Sequence, residues 1–352
     1  MYIYAVAVAA AFLVGLLGTW LFDCKIRGFS LALAFSNPDR PSDRPYTGGT
    51  VIFVALCSIP FLAAAISTDV EQSMRALDSD LIWFFGAMAF IYVLGVYDDL
   101  RVAHFAVKLA GQILAATVVV VAGFQVDALG LPWDNHVNVG WFGGLLAVVW
   151  IVGVTNAVNL IDGKDGVAAG VGALAGIPIA VVAARADSWF IAVTVAVLSA
   201  STAGFLPHNF PPAKKFLGDS GALLIGFGLA SLSLKGSATG GNTVFFAIPI
   251  LALGFPLVDT TLAFVRRAID HRHPMKPDAD HIHHRLEERV GLGSRGILLL
   301  LYVIAALFSG GALLIRFVGG PATQGLVFGL FPALIIASLA RLGYFGSMWD
   351  SH

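Results

Sequence analysis

Apolar runs of roughly twenty residues recur from one end of this chain to the other, each long enough to cross the ~30 Å hydrocarbon layer of a bilayer as a helix. A backbone in that layer must satisfy its own hydrogen bonds, so the runs point to an all-α polytopic membrane protein. Composition agrees: 58% of the 352 residues are hydrophobic and 12% are charged, against ~25% charged in an ordinary soluble domain. The net charge of −1 offers no general attraction for nucleic acid. Cys24 and Cys57 stand apart from each other and from any polar cluster. They are expected to be packing residues, with no disulfide framework or zinc site.

Hydropathy and turn residues place about eleven transmembrane helices near 2–22, 48–67, 80–97, 105–125, 139–158, 166–184, 188–206, 220–234, 243–265, 296–316 and 323–341. The first run is too long for a signal-peptide core and lacks a basic leader, so it is expected to stay as a span. No repeat or soluble domain interrupts the series, and residues 1–352 read as one membrane domain with a basic loop at 266–295. Seventeen of the 21 Lys and Arg residues fall on one side of these spans. The positive-inside rule makes that side cytoplasmic, with the N-terminus outside and the C-terminus inside.

Every polar cluster falls on the same side. Asn156–Gly166 reads NAVNLIDGKDG, in which Asn156, Asn159, Asp162 and Asp165 recur every third residue before two glycines loosen the backbone. Such groups are expensive inside a bilayer, so they belong at its edge or in a wet cavity. One Asp-Gly pair would suit a helix C-cap; four evenly spaced polar side chains suit a ligand site better. Asp98 and Asp99 repel each other unless a cation or a shared proton compensates, which suits Mg²⁺ or proton acceptance, or else plain interfacial acids beside Arg101 and Lys108.

Lys214 and Lys215 precede Phe216-Leu217-Gly218-Asp219-Ser220-Gly221 at the start of a span. A carboxylate there fits Mg²⁺ with a phosphate, and equally a simple N-cap. His281, His283, His284 and Arg285 lie in the basic loop, where imidazoles and a guanidinium can face phosphate oxygens or an anionic lipid surface. Gly48-Gly49 after Thr47 allows either backbone approach to a phosphate or a tight entry into the second span.

Taken together, Thr47-Gly48-Gly49, Asp98-Asp99, NAVNLIDGKDGVAAG, FLPHNFPPAKKFLGDSGALLIG and HIHHRL resemble the polyprenyl-phosphate N-acetylhexosamine-1-phosphate transferase family, on its WecA/TagO side, with MraY as a relative. The resemblance covers most of the chain and implies a cytoplasm-facing fold of ten to eleven helices in the inner membrane. The implied reaction moves a sugar-1-phosphate from a UDP-sugar to a polyprenyl phosphate, releases UMP, and uses Mg²⁺, with Mn²⁺ as an alternative. It would open a cell-envelope glycan.

By the same resemblance Asp219 is the metal-binding aspartate, and Asp98 and Asp99 are the catalytic pair that activates the lipid phosphate or supports the metal. Asn156, Asn159, Asp162, Asp165 and Asn209 shape the nucleotide site, and His281, His283, His284 and Arg285 face the diphosphate. Lys108 and Thr47 serve the lipid phosphate, and a homodimer is open to it. HIHHRL favours UDP-GlcNAc as donor, with another UDP-N-acetylhexosamine or UDP-MurNAc-pentapeptide as alternatives. Two features depart from the family: Arg40 and Arg44 stand where a Lys/His-bearing segment is usual, and Lys164 stands where an apolar residue is usual. A transporter of an anionic solute or lipid is the alternative from another class.

Overall fold

The computed structural model describes residues 2–21, 45–125, 128–131, 134–138, 140–238, 247–269 and 292–318, with 323, 327 and 329. In chain order the helices are α1 (Tyr2–Leu13, continued by a π-turn over Val14–Gly18), α2 (Gly48–Ile66), α3 (Thr68–Arg75), α4 (Asp80–Arg101) and α5 (Phe105–Val121). After a hairpin of β1 (Ala128–Leu131) and β2 (Asp134–Asn138) come α6 (Phe142–Ile161), α7 (Val167–Arg185), α8 (Trp189–Asn209) and α9 (Gly218–Ala238). The last are α10 (Ala247–Ala252), α11 (Gly254–Ile269) and α12 (Ser294–Phe317).

Helices occupy ten of the eleven expected positions, and the run near 323–341 lies almost wholly outside the described residues. Among the described residues, seven helices are long and apolar enough to cross a membrane: α1 extended to Leu21, α2, α4, α6, α7, α8 and α12. Three features differ from the sequence expectation. The run near 243–265 is not one helix; it breaks between α10 and α11 at Leu253, where Gly254 packs against the Phe308 ring and Pro256 withholds an amide from the helical ladder. A short amphipathic α3 follows α2, capped by the Ser67 hydroxyl, which accepts from Val70 N. The antiparallel β1–β2 hairpin is the exception to the all-helical expectation. Strands of four and five residues are too short to stand out from loop in a sequence.

The bundle is organised on α9. Residues 221–234 are buried on every side, with α2, α4, α6, α7 and α8 packed around them. A helix that is apolar all round is stable only in such a central place. It runs antiparallel to α4 and is tied to it at both ends. Lys235 Nζ donates to Asp80 Oδ2 at 2.8 Å and to Gly123 O at 3.1 Å, over the Phe124 ring. At the other end, Asp99 of α4 receives the first amides of α9.

Candidate active site

The α4–α5 connection is three residues long, and its chemistry places two of the charged groups. Val102 adopts a left-handed conformation (φ 47°) and its amide closes on Asp98 O, while the Asp98 side chain accepts from Ala103 N at 2.6 Å. His104 Nδ1 then caps α5 by accepting from Ala106 N. One turn into α5, Lys108 is swung back over the end of α4. Its Nζ donates to Asp98 Oδ2 at 2.5 Å and to Asp219 Oδ1 at 3.0 Å. One ammonium, 15% exposed, thus holds two carboxylates that are 2% and 11% exposed, which removes the repulsion they would otherwise exert.

Asp99 has a different task. Its Oδ1 accepts from Asp219 N at 2.7 Å and its Oδ2 from Ser220 N at 3.1 Å, so both oxygens are spent on the start of α9, where amides otherwise lack partners. Gly218 makes the turn into α9 at φ +78°, and a Cβ there would meet the Asp99 carboxylate. Asp99 therefore fixes the backbone of Asp219.

Asp162 follows the last residue of α6 and is half-buried. Burial first, then the negative charges of Asp219, Asp99 and Asp165, push its carboxyl well above the ordinary carboxylate range. It therefore belongs to the same acidic neighbourhood. Asp165 and Asn209 instead build the walls: Asp165 Oδ2 accepts from Ala213 N at 2.8 Å, and Asn209 accepts from Gly166 N while donating to Lys215 O, both at 2.9 Å. Asn209 is 2% exposed. Asn156 lies one helical level deeper, donating to Gln112 Oε1 and to Val152 O. Asn159 is half-buried between these levels.

The second-span glycines resolve toward tight entry. Thr47 N and Gly48 N donate to Phe216 O, and Gly49 N to Leu217 O, so these amides are spent on the strand-like segment that leads to Asp219. Thr47 is 0% exposed and its hydroxyl has no partner among the described residues, which sets it inside the packing between α2 and that segment. His281, His283, His284 and Arg285 lie outside the described residues. The pairing of Gln112 with Asn156 escaped the sequence reading; a glutamine one turn beyond Lys108 in an apolar run was the available signal.

Beside the acidic cluster a cleft of about 680 Å³ opens between the turn after α6 and the start of α12. It is lined by Gly163, Lys164 and Asp165 on one side, Pro211 and Pro212 at the back, and residues 293–298 on the other. Arg295 Nε donates to Pro211 O at 2.8 Å and Tyr302 Oη to Gly166 O at 2.7 Å, so α12 is fastened to both walls. The turn 162–166 thus faces two ways, with Asp162 toward the carboxylates and 163–165 toward the cleft.

A family model, glycosyl transferase family 4, matches residues 81–237, the stretch holding Asp98, Lys108, Asp162 and Asp219. The chain is 35% identical over 319 residues to a protein of Bacillus subtilis (strain 168) named probable undecaprenyl-phosphate N-acetylglucosaminyl 1-phosphate transferase, covering 88% of this chain and 86% of that one. It is 31% identical over 347 residues to the decaprenyl-phosphate N-acetylglucosaminephosphotransferase of Mycolicibacterium smegmatis, covering 89% and 82%. A phospho-N-acetylmuramoyl-pentapeptide-transferase of Lacticaseibacillus paracasei matches at 32% over 208 residues, covering 56% and 62%.

Proposed function

This chain belongs to glycosyl transferase family 4, and we propose that it transfers N-acetylglucosamine-1-phosphate from UDP-GlcNAc to a membrane polyprenyl phosphate, releasing UMP. It is a multi-pass membrane protein. The observation that carries the reaction is the meeting of Asp98, Lys108 and Asp219 from three helices at one end of the bundle, with Asp162 beside them. The donor is supported by two relatives named for N-acetylglucosamine, which align at 35% and 31% identity over 88% and 89% of this chain. The distribution of Lys and Arg supports eleven spans with the N-terminus outside and the site facing the cytoplasm.

The donor set fits Mg²⁺. Among the described residues no three His, Cys, Asp or Glu side chains form a closed cage, and Mg²⁺ commonly takes only one or two carboxylates together with substrate phosphates. Asp219, with Asp98 beside it, would hold the ion. When bound it supplies charge neutralisation at the diphosphate. Lys108 spends two of its three N–H bonds on Asp98 and Asp219, leaving one for a phosphate oxygen. The lipid phosphate monoester, with a second pKa of about 6, is already mostly ionised near neutral pH. Asp98 accordingly serves to place Lys108 more than to remove a proton.

The cleft beside Asp162 seats the nucleotide, with Asp165 and Asn209 holding its walls in place. Lys164 adds a cation at its rim. Replacing Lys164 with Leu should raise KM for UDP-GlcNAc roughly fivefold, the value of about 1 kcal/mol for a half-exposed charge contact, and leave kcat unchanged. A steady-state comparison that finds both constants unaltered removes Lys164 from the donor site.

The direct test is UMP release by purified protein in lipid. It should require UDP-GlcNAc and polyprenyl phosphate together, cease with EDTA and return with Mg²⁺. Release from UDP-MurNAc-pentapeptide but not UDP-GlcNAc would reassign the donor. Solute uptake into vesicles without UMP formation would overturn the enzyme reading.

A further inference from the structure

α1 places no side chain in the acidic cluster, yet it departs from α-helical winding over Val14–Gly18, where it forms a π-turn. Such turns interrupt the regular ladder of amide-to-carbonyl bonds and occur frequently at functional places. Two carbonyls at this end of α1 are met by the last turn of α8 and by the loop that leads from it to Asp219. His208 Nε2 lies 2.9 Å from Leu16 O, and Lys215 Nζ donates to Thr19 O at 3.0 Å. A carbonyl oxygen only accepts, so His208 carries its proton on Nε2.

Lys215 is 5% exposed. Sinking an ammonium that far is strongly unfavourable in the absence of compensating bonds, and an apolar side chain would fill the space without that penalty. α1 is also fixed in place. A methyl group on Gly15 would overlap the Ser201 carbonyl of α8, and one on Gly204 would overlap the Phe12 carbonyl of α1, so the two backbones touch.

The loop between these contacts is a closed turn. Lys214 N and Lys215 N both donate to His208 O, at 2.9 and 3.1 Å, and Asn209 Nδ2 holds Lys215 O. Phe216 then pairs in parallel with Tyr46, Gly218 turns, and Asp219 begins α9. Three residues of constrained backbone separate the Lys215 anchor from Asp219.

We propose that His208 and Lys215 are positioning residues that lock the loop before Asp219 onto the π-turn of α1, so that the first helix sets where that carboxylate stands. This rests on Asp219 acting at the donor diphosphate. The side chains reach the carbonyls of Leu16 and Thr19 and act through the loop.

The test uses full-length protein in lipid and the variants Lys215→Met, Lys215→Arg and His208→Leu. Lys215→Met is expected to lower kcat for UMP release about tenfold, the scale of a sub-ångström misplacement, and to raise the Mg²⁺ concentration for half-maximal rate. Its KM for UDP-GlcNAc and its melting temperature should stay near wild type. Lys215→Arg, which restores a donor to Thr19 O, should recover most of the rate, and His208→Leu should behave as Lys215→Met does. Hydrogen exchange of the amides at 214–219 should be faster in Lys215→Met while that of α12 is unchanged.

Wild-type kcat in Lys215→Met, or a loss that tracks a lowered melting temperature and that Arg fails to rescue, overturns the anchor. A wild-type protein that releases no UMP overturns the functional reading instead. In that event the exchange arm decides the anchor by itself: equal protection of 214–219 in wild type and Lys215→Met refutes it, and faster exchange supports it.

Discussion

Asp219→Asn should reduce UMP release by on the order of 10³-fold, about 4 kcal/mol of lost transition-state stabilisation at a charge-neutralising position. The substitution is chosen to separate chemistry from folding. Asn is as good as Asp at the start of a helix, and the Asp219 amide that donates to Asp99 is untouched. Lys108 keeps its 2.5 Å partner in Asp98. What disappears is one negative charge facing that ammonium, and with it the proposed ligand for Mg²⁺. The variant should therefore melt near the wild-type temperature, still bind to lipid, and need far more Mg²⁺ for whatever rate remains. Turnover at the wild-type rate would remove Asp219 from the reaction and with it the proposed site.

The sequence points to one end of the bundle, because every polar cluster shares a side with the excess of Lys and Arg, and among the described residues the structure brings Asp98, Asp99, Asp162 and Asp219 together there. It does not reveal how the side chains divide the work. Asp98 and Asp99 look alike as neighbours, but successive helix positions point about 100° apart: one meets Lys108 and the other caps α9. Lys214 and Lys215 look like a phosphate-binding pair, but the turn exposes the first and drives the second inward to Thr19. Asp165 and Asn209 have the residue types of ligand contacts and spend them on Ala213 N and Gly166 N.

In each case the deciding partner lies more than forty residues away or on another helix, beyond what spacing encodes. The break at Gly254 was legible in its glycine and in Pro256, and was masked by the length of the apolar run around them. Burial of Thr47 likewise depends on Phe216 arriving beside it from far along the chain.

Gly95→Ala should abolish transfer while Gly86→Ala, on the same helix, leaves it intact. A Cβ on Gly95 would overlap Ser220 Cα and stand 2.6 Å from Ser220 N, and these are backbone atoms that no rotamer change can move. A Cβ on Gly86 meets nothing within 4 Å. Relieving the Gly95 overlap requires α4 and α9 to separate at the end where one carries Asp98 and Asp99 and the other carries Asp219. Overpacking of this kind lowers stability by about 1–3 kcal/mol, which the Lys235–Asp80 tie at the far end helps the bundle withstand.

Catalysis has no such reserve: a shift near 1 Å between reacting groups is worth about 10² in rate, and separation also pulls Asp99 off the amides of Asp219 and Ser220. Gly95→Ala should thus be expressed and folded, with a modestly lower melting temperature and at least ~10²-fold slower UMP release. Gly86→Ala should match or slightly exceed wild-type stability, since Ala is the better helix former by up to about 1 kcal/mol. Equal rates in the two variants would mean that the α4–α9 contact does not set the distance between the carboxylates, and the site would have to be assembled through α5 and Lys108 alone.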